Sequence, residues 1–151
     1  MAHERIAFAN FTKPIYRDGP VVALVRRDVV LGPGRKLEQV LATPGLQVLV
    51  RGRYTYGPHI ESVLRRVKPD LVASPLRNSQ LVERLIDKRA DLMFASEEEG
   101  AHLLRQLGSR ASELQLLRFS DLLPGTERYI ACNRNVPDET IERLNNAITF
   151  K

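Results

Sequence analysis

Residues 46–74 read LQVLVRGRYTYGPHIESVLRRVKPDLVAS, and they contain the patterns of a strand, a helix and a second strand in that order. The apolar runs at 46–50 and 70–74 are typical of strands that are covered on both faces. Between them, four apolar residues follow the i, i+3, i+4, i+7 spacing of one helical face: Ile60, Val63, Leu64 and Val67. The stretch therefore predicts a β-α-β unit with two parallel strands.

The same alternation of strands and helices continues on both sides of this unit. Further strands are predicted at 21–25, 91–95, 114–119 and 128–133. Further helices are predicted at 37–41, at 79–88 with Asn78 or Ser79 as its cap, at 96–108, and from Pro137 onward. The predicted fold class is α/β, with an open, mostly parallel sheet and helices on both faces.

The composition indicates a globular protein and disfavours nucleic acid as its partner. The chain has 151 residues, of which 43% are hydrophobic and 27% are charged, and its net charge is +5. Most of the basic residues are arginines, but they are scattered and no basic run is longer than two residues. No helix-turn-helix or zinc-finger pattern accompanies them, so the sequence disfavours nucleic-acid binding. No apolar window approaches the length of a membrane span, and the first residues do not have the order of a secretion signal.

The residue types that carry most catalysis are sparse. The single cysteine, Cys132, excludes an internal disulfide and a cysteine-based zinc site. The three histidines, His3, His59 and His102, have no metal-ligand spacing with one another. No phosphate-binding loop, nucleophile elbow or complete dinucleotide fingerprint occurs. We therefore expect no cofactor, no metal and no catalysis.

A ligand site is nevertheless predicted at one edge of the sheet. In open α/β sheets, ligands bind at the carboxyl ends of the strands, where helix N-termini converge. Three loops follow predicted strands: RGRYTYG, SPLRNS and SEEE. The predicted ligand-binding residues are Arg53, Tyr54, Thr55, Tyr56, Asn78, Ser79, Ser96 and Glu97.

The first loop suits an anionic group. Gly52 permits close approach of the backbone, and the amides of residues 55–57 lie at the start of a helix. Arg51 or Arg53 would add a charge, and Thr55 a hydroxyl. Tyr54 and Tyr56 could form an aromatic wall. The alternative is that Thr55 only caps the helix and the tyrosines pack on its flank.

The other two loops also have a purely structural alternative. A turn around Pro75 followed by a helix cap explains the second loop. In the third loop, Glu97 or Glu98 could meet a ligand ammonium, but Ser96 and Glu99 have the spacing of a capping box. We assign Glu99 to the cap and keep Glu97 as a binding candidate.

Four segments in this order carry a family resemblance: FTKPIYRDGPVVALVRRD, LQVLVRGRYTYG, NSQLVERLIDKRADLMFAS and RYIACNRNVPDETIERLNNAI. Together they resemble the second lobe of the type II periplasmic solute-binding proteins, family 3. In that family two α/β lobes close over a small polar ligand, and the chain crosses between them twice. The resemblance implies that residues 1–20 are a hinge segment from a first lobe that this chain lacks. Residues 21–127 would be the ligand-binding lobe, and residues 128–151 the returning hinge strand and a terminal helix.

The resemblance also implies a function. The RGRYTYG turn matches the family's ligand loop, in which Thr55 and the amides after it would hold a carboxylate or similar anion. Ser96 and Glu97 lie where amino-acid binders usually place an aspartate for the ligand ammonium, and this sequence has no aspartate there. The expected ligand is a small polar solute, either an amino acid or an organic anion. The expected partners are the first lobe and a membrane transporter or sensor, in the periplasm.

Two other functions fit the same fold. One is the effector-binding module of a cytoplasmic transcription regulator. The other is an enzyme in which Glu97 or Glu98 acts as general acid or base. In any of these settings, apolar side chains near the N-terminus would be exposed without the first lobe, so a homodimer or other self-association is expected. They are Phe8, Phe11, Ile15 and Tyr16.

Overall fold

The computed structural model describes residues 8–150, which divide into two compact units. One unit is the continuous segment Gly19–Leu123. The other unit combines residues up to Asp18 with residues from Pro124 onward. His3 and the first seven residues of the predicted hinge segment lie outside the described residues.

Residues 8–150 form seven strands and five α-helices. The strands are β1 (Ala9–Arg17), β2 (Val21–Arg26), β3 (Gln47–Arg51), β4 (Asp70–Ser74), β5 (Leu92–Ser96), β6 (Leu114–Arg118) and β7 (Glu127–Asn133). The helices are α1 (Leu37–Leu41), α2 (Pro58–Val67), α3 (Asn78–Ile86), α4 (Glu97–Leu107) and α5 (Asp138–Ala147), with a 3₁₀ turn at Gly108–Glu113. None of these helices is both long and apolar enough to span a membrane.

The Gly19–Leu123 unit is built on a five-stranded sheet with the order β4-β3-β5-β2-β6. Strand β3 is parallel to both β4 and β5, whereas β2 is antiparallel to β5 and to β6. The predicted α/β fold with a mostly parallel sheet is confirmed, with β2 as the single reversed strand of this sheet. Because β2 is reversed, it begins at the edge where the other four strands end.

The core of this unit lies on both faces of the sheet, because successive strand residues point to opposite sides. In β5, Phe94 packs into one apolar cluster and Met93 into the other. Helices α1 and α2 cover the first face, and α3 and α4 cover the second. The helical residues that fill these two clusters include the fully buried Leu37, Val40, Leu81 and Leu85. Helices on both faces are therefore confirmed.

The second unit is a two-stranded antiparallel ribbon of β1 and β7 against which α5 packs. Ala9–Arg17, which belongs to the predicted hinge segment, has its partner strand within this chain, because β7 pairs with it. The ribbon is irregular on both sides of Pro14, which has no N–H to donate. Near this irregularity, the Thr12 hydroxyl accepts the N–H of Ile130 at 3.1 Å.

Candidate functional site

The three predicted ligand loops lie side by side at one edge of the five-stranded sheet. Arg51 at the end of β3 is paired with Ser74 at the end of β4, and Leu49 is paired with Met93 of β5. Neighbouring strands are about 4.8 Å apart, so the three strand ends span roughly 10 Å. Helices α2, α3 and α4 all begin at this edge. The structure therefore brings the predicted site residues to one place.

The RGRYTYG loop is held by hydrogen bonds that its backbone N–H groups donate. The N–H of Gly52 donates to the carbonyl oxygen of Ser74 at 2.8 Å, which ties the loop to the end of β4. The N–H of Arg51 donates to the hydroxyl of Tyr56 at 2.9 Å. The guanidinium of Arg51 lies over the ring of Tyr54, 5.8 Å from its centroid. The loop is thus held before any ligand arrives.

Tyr56 joins this loop to the core. Its ring lies 5.2 Å from that of buried Phe94, and burial raises the pKa of its phenol. Its N–H donates to the carboxylate of Glu61 at 3.1 Å, so this amide is occupied within the protein. Tyr54 meets Tyr56 edge-on, with ring centroids 5.0 Å apart, and remains half exposed. Of the two tyrosines, Tyr54 is the more exposed.

Arg53 and Thr55 are the open polar side chains of the loop. Both are exposed, and neither has a polar partner among residues 8–150. Arg53 has φ 61°, in the left-handed region that costs an L-residue roughly 1–2 kcal/mol. The alternative that Thr55 caps α2 is wrong, because Gly57 is the N-cap and Pro58 begins the helix. Both side chains remain available to a ligand.

The start of α3 differs from the prediction. The N-cap is Arg77, not Asn78 or Ser79, because the side chain of Gln80 accepts the Arg77 N–H at 3.2 Å and starts the helix earlier. Asn78 and Ser79 are the first two helical residues, and their N–H groups precede the first helical hydrogen bonds. The first turn of α3 has no acidic residue. This helix end therefore keeps its positive partial charge.

The start of α4 is acidic, and its first turn holds Glu97, Glu98 and Glu99. As predicted, Ser96 is the N-cap, and its hydroxyl accepts the N–H of Glu99 at 3.2 Å. A carboxylate oxygen of Glu98 accepts the N–H of Gly19 at 2.9 Å, at the entry to β2. Part of this acidic turn thus binds the segment that leads into β2.

Glu97 has a partner that sequence reasoning missed. Nε of Arg118 lies 2.6 Å from Oε1 of Glu97, and Nη2 of Arg118 binds the same oxygen. Arg118 is the last residue of β6, which reaches this edge because it pairs with reversed β2. No local pattern marks Arg118, because its position depends on strand pairing across most of the unit.

The remaining chemistry-bearing residues are dispersed. His59 and His102 are exposed, and Nε2 of His59 lies 3.7 Å from the carboxylate of Asp121. Cys132 is half-buried in β7. Across residues 8–150, no group of three or more His, Cys, Asp or Glu side chains could hold a metal ion. The candidate site is therefore the sheet edge, which offers arginine charge and helix N-termini to an anion.

Comparisons with known proteins identify structures with a similar fold. No protein-family model matches the chain, and no curated protein matches its sequence. An ancestral arginine-binding protein bound to arginine matches with a TM-score of 0.71 and 17% identity, over 98% of this chain and 60% of that one. A structure concerning glutathione import via GshT and the cystine ABC importer TcyBC of Streptococcus mutans matches with a TM-score of 0.67 and 14% identity, over 97% and 58%.

A third similar structure is an ancestral amino acid-binding protein that is a precursor of cyclohexadienyl dehydratase. Its TM-score is 0.61 at 17% identity, over 98% of this chain and 57% of that one. This chain thus spans 57–60% of the length of the three proteins. At these identities the likeness concerns the fold alone, and this fold agrees with the α/β lobe fold that the sequence resemblance predicts.

Proposed function

We propose that this chain is the ligand-binding lobe of a two-lobed solute-binding protein, and that its ligand is a small solute with an anionic group. The observation that carries the proposal is the convergence of α2, α3 and unpartnered Arg53 at the edge where three parallel strands end. Helix N-termini and arginine both favour an anion, and the combination is the usual ligand position in an open α/β sheet.

The distribution of charge supports an anionic ligand. Between residues 35 and 77, which include β3, α2 and β4, basic side chains outnumber acidic ones. At the start of α4, by contrast, the acidic Glu97 is paired with Arg118. A ligand at this edge would therefore meet a positive potential from the β3 and β4 loops.

A two-lobed protein would use this edge as half of a site. The similar proteins are longer than this chain, and one of them binds arginine. We propose that a further lobe supplies the other contacts and that the ligand bridges the two lobes. Binding would then shift the open and closed populations of the whole protein. The parent would be a transport or sensor protein that acts in the periplasm or outside the cell, without catalysis.

An enzyme on the same fold is the second candidate, because one similar structure is a precursor of a dehydratase. The two carboxylates proposed for acid–base work are both engaged, Glu97 with Arg118 and Glu98 with the N–H of Gly19. Engaged carboxylates are poorly placed to exchange a proton with a substrate. The binding function is therefore the better supported of the two.

The test is an amide NMR titration of the chain with succinate, phosphate and acetate. We expect shifts confined to residues 52–57 and 78–79, with a dissociation constant in the millimolar range or weaker, about −4 kcal/mol, because one lobe supplies only part of the contacts. No shift at these amides with any of the three anions would contradict the proposal. A micromolar affinity would contradict the half-site argument.

A matched pair of variants sharpens the test. Arg53→Gly removes a charge at a position with φ 61° that glycine adopts freely, and we expect affinity to fall about tenfold, the value of one charge-assisted hydrogen bond. Lys68→Gly makes the same kind of change at φ 51°, but at the opposite end of α2. It should leave anion affinity unchanged. Equal losses in the two variants would point to net charge alone and against Arg53 as a ligand contact.

A further inference from the structure

Arg118 binds Glu97, although the strands that carry these two residues are not neighbours in the sheet. In the sheet, β6 and β5 are separated by β2, so two strand spacings, roughly 10 Å, separate their ends. The side chain of Arg118 crosses the beginning of β2 and places its guanidinium on Oε1 of Glu97. The arginine therefore reaches from the far side of the sheet edge into the loop cluster of the candidate site.

The backbone around Glu97 is hydrogen-bonded to the chain at the start of β2. Its N–H donates to the carbonyl oxygen of Pro20 at 3.1 Å, and the preceding Ser96 pairs with Val21. Strand β5 is also the direct neighbour of β3, which carries the RGRYTYG loop. Glu97 thus follows the strand next to β3, its carboxylate reaches toward β6, and its backbone is held by hydrogen bonds at the start of β2.

We propose that Arg118 sets the charge class of the ligand. By binding the Glu97 carboxylate, it occupies a group that would otherwise attract a ligand ammonium, so the site favours a carboxylic acid over the matching amino acid. This inference rests on the proposed function, because it concerns selectivity within the same site. A charge that repels the wrong ligand is a common source of specificity. Here the guanidinium neutralises the Glu97 carboxylate, so an approaching ammonium meets no unpaired negative charge on that residue.

A purely structural role explains Arg118 less well. Its side chain is 67% exposed, and exposed ion pairs contribute little to stability. Glu97 also lies in the first turn of α4, where the helix N-terminus already stabilises its negative charge. Removing Arg118 should therefore leave the fold intact and the Glu97 carboxylate open to a cationic group.

The experiment uses pairs of probes that differ by one ammonium group: succinate with L-aspartate, and glutarate with L-glutamate. Each probe is titrated into the chain and into Arg118→Gln while the amides of residues 52–57, 78–79 and 96–98 are followed by NMR. In the original chain we expect the acid to bind at least as tightly as its amino-acid partner. In Arg118→Gln we expect the affinity ratio to shift about tenfold toward the amino acid, as one charge-assisted hydrogen bond would give.

Three further variants separate the causes. Arg118→Gln combined with Glu97→Gln should abolish the shift, because the uncovered carboxylate is gone. Glu97→Gln alone should move the ratio further toward the acid, because Arg118 is then unneutralised. Arg110→Gln is the control: it removes an exposed ion pair with Glu83, 2.9 Å long, and should leave the ratio unchanged.

The outcomes distinguish this inference from the proposed function. If acids bind at residues 52–57 and 78–79 but Arg118→Gln leaves the ratio unchanged, the role of Arg118 is overturned and the binding function stands. If no probe shifts these amides in any variant, both are overturned. If Arg110→Gln changes the ratio as much as Arg118→Gln does, selectivity follows net charge, and the role of Arg118 is again overturned.

Discussion

Gly57 is the residue whose backbone conformation sets the start of α2. Its φ of 98° and ψ of 158° lie in a region that is open essentially to glycine alone. Gly52, in contrast, is not among the described glycines with positive φ, and a Cβ added there would meet the Ser74 carbonyl oxygen at an ordinary 3.6 Å. The loop therefore depends on its last glycine more than on its first.

We predict that Gly57→Ala lowers the free energy of unfolding by about 1–3 kcal/mol, the usual cost of holding an L-residue in such a conformation. An added Cβ would meet no atom within 4 Å, so backbone conformation alone causes the loss. Urea denaturation measures it. Gly52→Ala is the control and should change stability by less than about 0.5 kcal/mol. Equal losses in the two variants would contradict the argument.

At this scale the sequence predicted which loops lie together at the sheet edge but not the hydrogen-bond and ion-pair partners of their residues. The three loops could be located because apolar runs end where Gly, Pro and Ser follow them. That Glu61 occupies the amide of Tyr56 could not be foreseen, because it depends on how the loop folds onto its own helix. The pairing of Glu97 with Arg118 joins residues 21 positions apart on different elements. Such partners are set by tertiary packing, which residue types alone do not reveal.

At the scale of elements, an ion-pair network joins three segments at the edge opposite the candidate site. The carboxylate of Asp28 accepts from Nε of Arg26 at 2.8 Å and lies 3.0 Å from Nζ of Lys88. Arg26 also pairs with Asp91 at 3.1 Å. The network connects the ends of β2 and α3 with the start of β5, beside an open cavity of about 210 Å³. The hydrogen bonds from Arg26 and then Lys88 lower the pKa of Asp28 from 3.8 to about 2.

This shift predicts how stability depends on pH. Because the pKa of Asp28 is lower in the folded state, its contribution is present above about pH 4 and is lost as the pH falls toward about 2. We expect Asp28→Asn to show a smaller loss of stability than the original chain over this interval, in urea denaturation at low salt. Since Asp28 is half exposed, 0.5 M salt, used as a control, should reduce the difference between the two proteins. Identical pH profiles at low salt would contradict the assignment.

The elements themselves were largely predictable, and their pairing was not. Strands such as β3 and β5 are short apolar runs between turn signals, and both were found where predicted. The direction of β2 could not be predicted, because an apolar run has the same appearance whichever way it points. The pairing of β1 with β7 joins segments more than a hundred residues apart, such as Ala9 with Asn133, and leaves no local pattern.

At the scale of the whole molecule, exposed apolar side chains near the start of the chain predict self-association. Phe8 is 78% exposed and Tyr16 is 50% exposed, whereas Phe11 and Ile15 are half-buried. Exposed aromatic surface beside a two-stranded ribbon invites contact with a second copy. We expect the weight-average mass to rise with concentration in sedimentation experiments.

Variants of the exposed side chains test which surface makes the contact between copies. Phe8→Ser combined with Tyr16→Ser should suppress the rise in mass. Val30→Ser is the control, because Val30 is 88% exposed but belongs to the Gly19–Leu123 unit. If Val30→Ser suppresses association as strongly, the contact lies elsewhere. A single species of constant monomer mass at every concentration would contradict the prediction altogether.

The reversed direction of β2 also determines where the Gly19–Leu123 unit begins and ends. Val22, near its first residue, is the direct partner of Arg118, near its last, so the two ends lie on neighbouring strands about 5 Å apart. A segment whose ends meet in this way can be inserted into a surface loop of a host protein without stretching either one. In such a chimera the junction would lie at the same edge as the three loops. A ligand held by these loops would then lie beside the junction.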